Sequence, residues 1–251
     1  MIEIQNLGKS YGENIALRDL NLSLKPGEVF AFLGPNGAGK TTTIKILTGL
    51  VRPNTGTALI GGYDIVEQPI QAKALMSYVP DEPYLYEKLS AREFLNLIGD
   101  LYGLERSKRE ERLVEMVKTF ELEGFLDDLC ESFSHGMKQR VVLAGALLHQ
   151  PKVLILDEPM VGLDPKSARN LKKLIRKLAN DEGLTVFMST HTLSIAEEVA
   201  DRIAILSKGT LVALGTFKEL LELRHAKGEE QESFGLEDLF LELTDGTSLP
   251  T

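Results

Sequence analysis

Apolar positions change their spacing along the chain, and each change marks a different kind of element. Leu20, Leu22 and Leu24 are separated by Asn21 and Ser23, the period of a strand with one buried face, and Pro26-Gly27 supplies a turn. Val29-Phe30-Ala31-Phe32-Leu33 is apolar without interruption, which predicts a strand buried on both faces. It runs into GPNGAGKTTTIKILTGL, a loop followed by a helix that stops at Gly49. The first sixty residues therefore read as strands around one helix.

From about Ser90 to Gln150 the period becomes helical. Ser90 with Glu93, and Ser107 with Glu110, have the spacing of a capping box. Phe94, Leu95, Ile98, Leu101 and Tyr102 form one apolar stripe, and Leu113, Val114, Val117 and Phe120 form another. These predict the core faces of a helical subdomain over about 88–150. After Pro151 strands and helices alternate. KVLILDEP predicts a buried strand, Asp164-Pro165 opens a helix with its stripe at Leu171, Leu174, Ile175 and Leu178, and LTVFMST predicts another buried strand. A helix follows near Ser194, and DRIAILSKGTLVALG reads as two strands around a Lys208-Gly209 turn. Alternation on this scale predicts an α/β fold, a largely parallel sheet with helices on its faces.

Composition narrows the function classes. Of 251 residues, 28 are basic and 37 acidic, a formal charge of −9, which disfavours broad nucleic-acid affinity and gives no basic anchor for anionic lipid. The single cysteine, Cys130, excludes a disulfide scaffold and fits a reducing compartment. No apolar run approaches the ~20 residues of a membrane-spanning helix, and no secretory signal is visible at the N-terminus. Any membrane role is therefore expected to pass through a protein partner.

Gly34-Pro35-Asn36-Gly37-Ala38-Gly39-Lys40-Thr41 fits G-x-x-x-x-G-K-[ST], placed between a buried strand and a helix. Glycines let backbone N–H groups curl around phosphate oxygens, and the helix N-terminus adds partial positive charge. Lys40 is expected to reach the β- and γ-phosphates and the Thr41 hydroxyl to ligate Mg²⁺, with Thr42 beside it. Asp157 and Glu158 end a buried strand, where ligands bind in open parallel sheets. Asp157 would hold Mg²⁺, through water, and Glu158 would polarise the attacking water.

The order of these motifs resembles the nucleotide-binding subunit of an ATP-binding cassette (ABC) transporter over nearly the whole chain. Phe133-Ser134-His135-Gly136-Met137-Lys138-Gln139-Arg140 resembles the family signature written LSGGQ. Asp164 in VGLD resembles the D-loop aspartate, His191 in STH the switch histidine, and Tyr11 in KSYG the aromatic on which adenine stacks. SYVPDEPYLY resembles the segment that carries the Q-loop glutamine, with Asp81 at that position and Glu82 beside it.

The resemblance implies a P-loop NTPase (RecA-like) core with an N-terminal antiparallel β subdomain and an inserted helical subdomain. Residues 1–225 would form the ATPase domain and 226–251 an acidic tail with one short amphipathic segment, LEDLFLEL. It implies a Mg²⁺-dependent ATPase with Glu158, His191 and Lys40 catalytic, working as a head-to-tail dimer that sandwiches two ATP molecules. Ser134 and the N–H groups around Gly136 would then cap a γ-phosphate in trans, although Ser134 and Asp164 are equally the residue types that cap the helices they precede. The partners implied are integral-membrane permease subunits on separate chains, docking near Asp81, and a second ATPase subunit, identical or similar, but no nucleic acid. The location implied is cytoplasmic, peripheral at the inner face of the cell membrane. The tail FGLEDLFLELTDG resembles the end of ATPase subunits from ABC-2-type exporters, including drug and antibiotic-resistance pumps, which points to export.

Departures qualify the pattern. His135 replaces the first signature glycine, Met137 the terminal glutamine and Phe133 the first leucine, while the serine and second glycine remain. A carboxylate such as Asp81 about 4 Å from a phosphate charge costs about 1 kcal/mol in water and about 4 kcal/mol at an effective dielectric of 20. Asp81 either ligates Mg²⁺, which would offset that repulsion, or stays back as a hinge. Two rival readings share the phosphate loop. A soluble ABC ATPase acting on nucleic acid or ribosomes is disfavoured, because only 94 positions separate Lys40 from Ser134 and the chain is acidic with one cassette. A stand-alone kinase leaves FSHGMKQR and the histidine after the third buried strand unexplained.

Overall fold

The structure is a computed structural model that describes residues 1–225 together with Phe240 and Leu241. Strands β1 (Ile2–Tyr11), β2 (Asn14–Leu24), β4 (Thr55–Ile60) and β5 (Tyr63–Asp64) form an antiparallel sheet in the order β2-β1-β4-β5. The second sheet joins β3 (Val29–Leu33), β6 (Met76–Val79), β7 (Val153–Asp157), β8 (Thr185–Thr190), β9 (Arg202–Ser207) and β10 (Thr210–Gly215). Its order is β10-β9-β3-β8-β7-β6, parallel except for the antiparallel β10 edge. This is the expected α/β core with an N-terminal antiparallel sheet.

Uninterrupted apolar strands are explained by two cores, one on each face of the larger sheet. Val29, Ala31 and Leu33 of β3 join one core with Leu154 and Leu156 of β7. Phe30 and Phe32 join the other, with Val153, Ile155 and Phe187, against β1, β2 and the helix α1 (Lys40–Leu47). Phe187 packs on both phenylalanines, with ring centroids 5.8 and 5.2 Å apart. Each such side chain contributes roughly 1.5–3 kcal/mol on burial, so both faces fix the strands that carry the site.

Between β6 and β7 lie α3 (Ala91–Leu101), α4 (Arg106–Thr119) and α5 (His135–Leu148), which pack on one another and on the first core. Ser90 caps α3 in a complete capping box with Glu93. The second expected box does not form. Helix α4 begins one residue before Ser107, at Arg106 after Glu105, with no side-chain cap, and the Glu110 carboxylate is taken by Arg106 at 3.0 Å. Three stripe positions also depart from expectation: Leu101, Tyr102 and Val114 are exposed, while Met116 is buried. At 100° per residue, Val114 falls on the flank, about 110° from the centre of the Leu113, Met116 and Val117 face, Leu101 falls at the edge of the Ala91, Phe94 and Leu95 face, and Tyr102 lies past the last residue of α3 as its C-cap.

Helix α2 (Pro69–Ala74) precedes β6, in a stretch where the sequence marks no element. Helices α6 (Pro165–Glu182), α7 (Leu193–Val199) and α8 (Phe217–His225) complete the described chain. Leu171, Ile175 and Leu178 of α6 are buried as expected. The amphipathic tail segment lies outside the described residues except for Phe240 and Leu241, which are helical, with Phe240 packed against the first core.

Candidate functional site

Parallel strands deliver their C-terminal ends to one edge of a sheet, and here β3, β7 and β8 bring three chemical groups there. From β3 the chain enters the phosphate loop at Gly34 and reaches α1 at Lys40. Gly39 has φ +112°, and a Cβ there would lie 2.6 Å from the Ala16 carbonyl oxygen, so only glycine fits. The β9–β10 turn supports the loop from beneath, with the Gly209 N–H donating to the Ala38 carbonyl at 2.9 Å.

Lys40 is 6% exposed. Its amine donates to the carbonyls of Gly34 at 2.6 Å and Pro35 at 3.3 Å, and lies 3.8 Å from Glu158 Oε1. Burial lowers its pKa, against the opposing pull of Glu158 and Asp157. Asp157, the last residue of β7, is buried, and the Ser189 hydroxyl donates to its Oδ1. Burial raises its pKa; the Ser189 hydroxyl opposes this, while Asp81 and Glu158 add to it.

Glu158 has φ +47°, a left-handed conformation that costs a non-glycine residue about 1–2 kcal/mol. Its N–H is shared between the Ser189 carbonyl at 3.2 Å and hydroxyl at 3.1 Å. Its carboxylate lies between Lys40 and His191, whose Nδ1 is 3.0 Å from Oε2 and whose N–H donates to the same oxygen at 3.3 Å. His191 is thus placed beside Glu158, with its ring exposed.

Lys40, Asp157 and Glu158 border a cavity of about 390 Å³, whose lining does not include His191. Pro35, Asn36, Gly37, Gly39, Lys40, Thr41 and Thr42 line it from the loop, Tyr11 from β1, and Asp81, Asp157 and Glu158 from the sheet edge. Gly34 and Ala38 are buried beneath the loop. Tyr11 is 47% exposed, with the Lys9 amine 5.1 Å from its ring centroid. Burial, with Asp157 and Asp81 nearby, pushes the Tyr78 hydroxyl up to about 12.

The donor set suits Mg²⁺. Among the described residues no three His, Cys, Asp or Glu side chains form a metal cage. Mg²⁺ instead uses one or two carboxylates with substrate phosphates and water. A buried carboxylate crowded by two others, beside an exposed threonine hydroxyl, is what such a cation would relieve.

Ser134, Gly136 and Asp164 are not brought to that cavity. They line a separate groove of about 680 Å³ between α5 and α6. Ser134 caps α5, accepting from the Met137 N–H at 3.3 Å, and Asp164 caps α6, accepting from Lys166 and Ser167 at 2.9 and 3.1 Å. The Ser167 hydroxyl and amide, with the Lys166 amide, hold the Asp164 carboxyl below its usual range. His135 turns toward the loop that leads to Asp164: a Cβ on Gly162 would lie 3.0 Å from its Nε2. Two further residues lie inside the STH and FSHGMKQR motifs, which give them no role of their own. The part played by Ser189 is visible only once the β7–β8 register is known. Gln139 is buried in α5 and donates to the Pro159 carbonyl at 2.9 Å, tying the signature helix to the turn after Glu158.

The family model described as "ABC transporter" matches residues 17–161. The linearmycin resistance ATP-binding protein LnrL of Bacillus subtilis is 39% identical over 88% of this chain and 70% of its own length. The SkfA peptide export ATP-binding protein SkfE of the same organism is 41% identical over 84% of this chain and 87% of its own. Among solved structures, the ATP-binding subunit of an ABC transporter superposes with a TM-score of 0.88 at 34% identity, covering 97% of this chain and 99% of that one. The dimeric ATP-binding cassette MJ0796, bound to ADP and Pi in a post-hydrolysis state, gives a TM-score of 0.79 at 28% identity, covering 86% and 98%. Motif order, site geometry and these likenesses agree, and the chain belongs to the ATP-binding proteins of the ABC transporter family.

Proposed function

We propose that residues 1–225 form the ATPase domain of an exporter and that the loop cavity is where Mg²⁺-dependent hydrolysis occurs. The convergence of Lys40, Asp157 and Glu158 on one cavity carries this reading. Lys40 exchanges its loop carbonyls for β- and γ-phosphate oxygens, while loop N–H groups and the N-terminus of α1 hold the rest of the triphosphate. Tyr11 stacks on the base. Glu158 orients and polarises the attacking water, so that its oxygen bonds to the γ-phosphorus as the bond to the ADP oxygen breaks. His191 holds Glu158 in place. Thr41 and Asp157 hold Mg²⁺, with Asp81 lining the same cavity, and the cation supplies charge neutralisation to the phosphates.

Ser134, Gly136 and Asp164, set apart from the loop, serve the nucleotide of a second subunit in a head-to-tail dimer. The dimeric state of MJ0796 supports this. Among the described residues no helix is long and apolar enough to cross a membrane; family membership supports placing the transport path in permease chains. They dock where α3–α5 meet the core beyond Asp81, where Tyr84 is 74% exposed and packs edge to face on Tyr86. The chain then sits at the cytoplasmic face of the membrane. The names of LnrL and SkfE, resistance and peptide export, support export.

Two experiments test the reading. Glu158→Gln should keep ATP binding, nearly abolish phosphate release and accumulate an ATP-bound dimer on size exclusion; undiminished turnover removes Glu158 from its role. Purification of the tagged chain in mild detergent should bring down a stoichiometric polytopic membrane protein, and its absence sinks the transporter assignment.

A further inference from the structure

Consecutive strand residues face opposite ways, so a straight continuation of β7 would turn Glu158 away from Asp157. The strand ends at Asp157 instead, and Glu158 takes φ +47°, disfavoured for any residue with a Cβ. Ser189 stands at this break. It lies directly opposite Asp157 in the β7–β8 register and is wholly buried.

Its hydroxyl meets both residues, donating to Asp157 Oδ1 and accepting from the Glu158 N–H at 3.1 Å. A hydroxyl has one proton, and a backbone N–H can only donate. The proton must therefore point at Asp157, which gives the rotor a single fully satisfied setting. One side chain fixes the carboxylate of Asp157 and the backbone that aims the carboxylate of Glu158.

We propose that Ser189 is a positioning residue for ATP hydrolysis, acting through Asp157 and Glu158. The proposal rests on the roles assigned to those two residues above. Alanine removes both contacts, and threonine keeps both. An aligned hydrogen bond to a charged group is worth about tenfold or more in an equilibrium or rate it controls.

The test compares Ser189→Ala, Ser189→Thr and Glu158→Gln in the full chain. Ser189→Ala should lower kcat about tenfold with KM for ATP within about twofold. In thermal-shift titrations with ATP, it should also need several-fold more Mg²⁺ for half-maximal stabilisation. Ser189→Thr should restore both. A Ser189→Ala protein with a lowered melting temperature but undiminished kcat, assayed well below that temperature, overturns the proposal. A folded Ser189→Thr that recovers neither readout overturns it too. Should the extra methyl prevent folding, Ser189→Cys, close in size and a weak donor, should be as slow as alanine; full activity there also overturns it. Full turnover in Glu158→Gln would instead overturn the role of Glu158, and the proposal with it.

Discussion

Lys40 keeps a cation where burial works against it, and the loop carbonyls and Glu158 are its compensation. Lys40→Ala should weaken ATP binding about 10- to 100-fold by calorimetry, the worth of one or two charge-assisted bonds. Unchanged affinity contradicts the phosphate-loop assignment. His149 offers a pH test away from the site. Its ring stacks on Tyr102 with centroids 3.5 Å apart, and burial holds its pKa down at about 4. The native state thus resists the proton that the unfolded chain accepts near pH 6.5, so the contribution is intact above that value and is lost as pH falls toward 4. His149→Phe should flatten the decline in melting temperature between pH 6.5 and 4; an unchanged slope rules His149 out as its source. Lys40, Thr41, Asp157 and Glu158 were legible in the sequence because each lies inside a short linear pattern. Ser189 also lies inside one, STH, but its part in the site was not legible there, because it depends on which strand the residue faces.

Caps and faces were read unevenly at the scale of elements, for a physical reason. Ser90 and Ser107 have the same spacing to a glutamate, yet only Ser90 has extended backbone before its helix and closes the box. Ser90→Ala should therefore destabilise the protein by about 1 kcal/mol, a fall of about 2–4 °C in melting temperature, while Ser107→Ala should change it little. Equal effects would place the start of α4 elsewhere. The apolar stripes have the right period but fail at Leu101, Tyr102 and Val114, since the pattern says neither which edge of a face meets a neighbour nor where the helix stops. The short elements between residues 60 and 80 gave no periodic signal at all. Strand β5 is only two residues long and is set by a tight hairpin with β4, while β6 is set by pairing with β7, which is distant in sequence.

On the scale of the whole molecule, the phosphate cavity and the signature groove are different places on one chain. A mixture of Ser134→Arg and Lys40→Ala subunits should recover part of the ATPase activity that each lacks alone, because one composite site then has both intact halves. No recovery would weaken the sandwich arrangement. The sheet order has a further consequence, in the time domain. Strand β3, which feeds the phosphate loop, is flanked by β8 and β9, more than 150 residues later in the chain. During synthesis at roughly 5–20 residues per second, that apolar strand waits about 8–30 s without either neighbour. The loop is made early, but its strand can be held only after most of the chain has emerged. ATP binding is thus a late event in the life of a nascent chain, and until then VFAFL is a segment that chaperones would recognise.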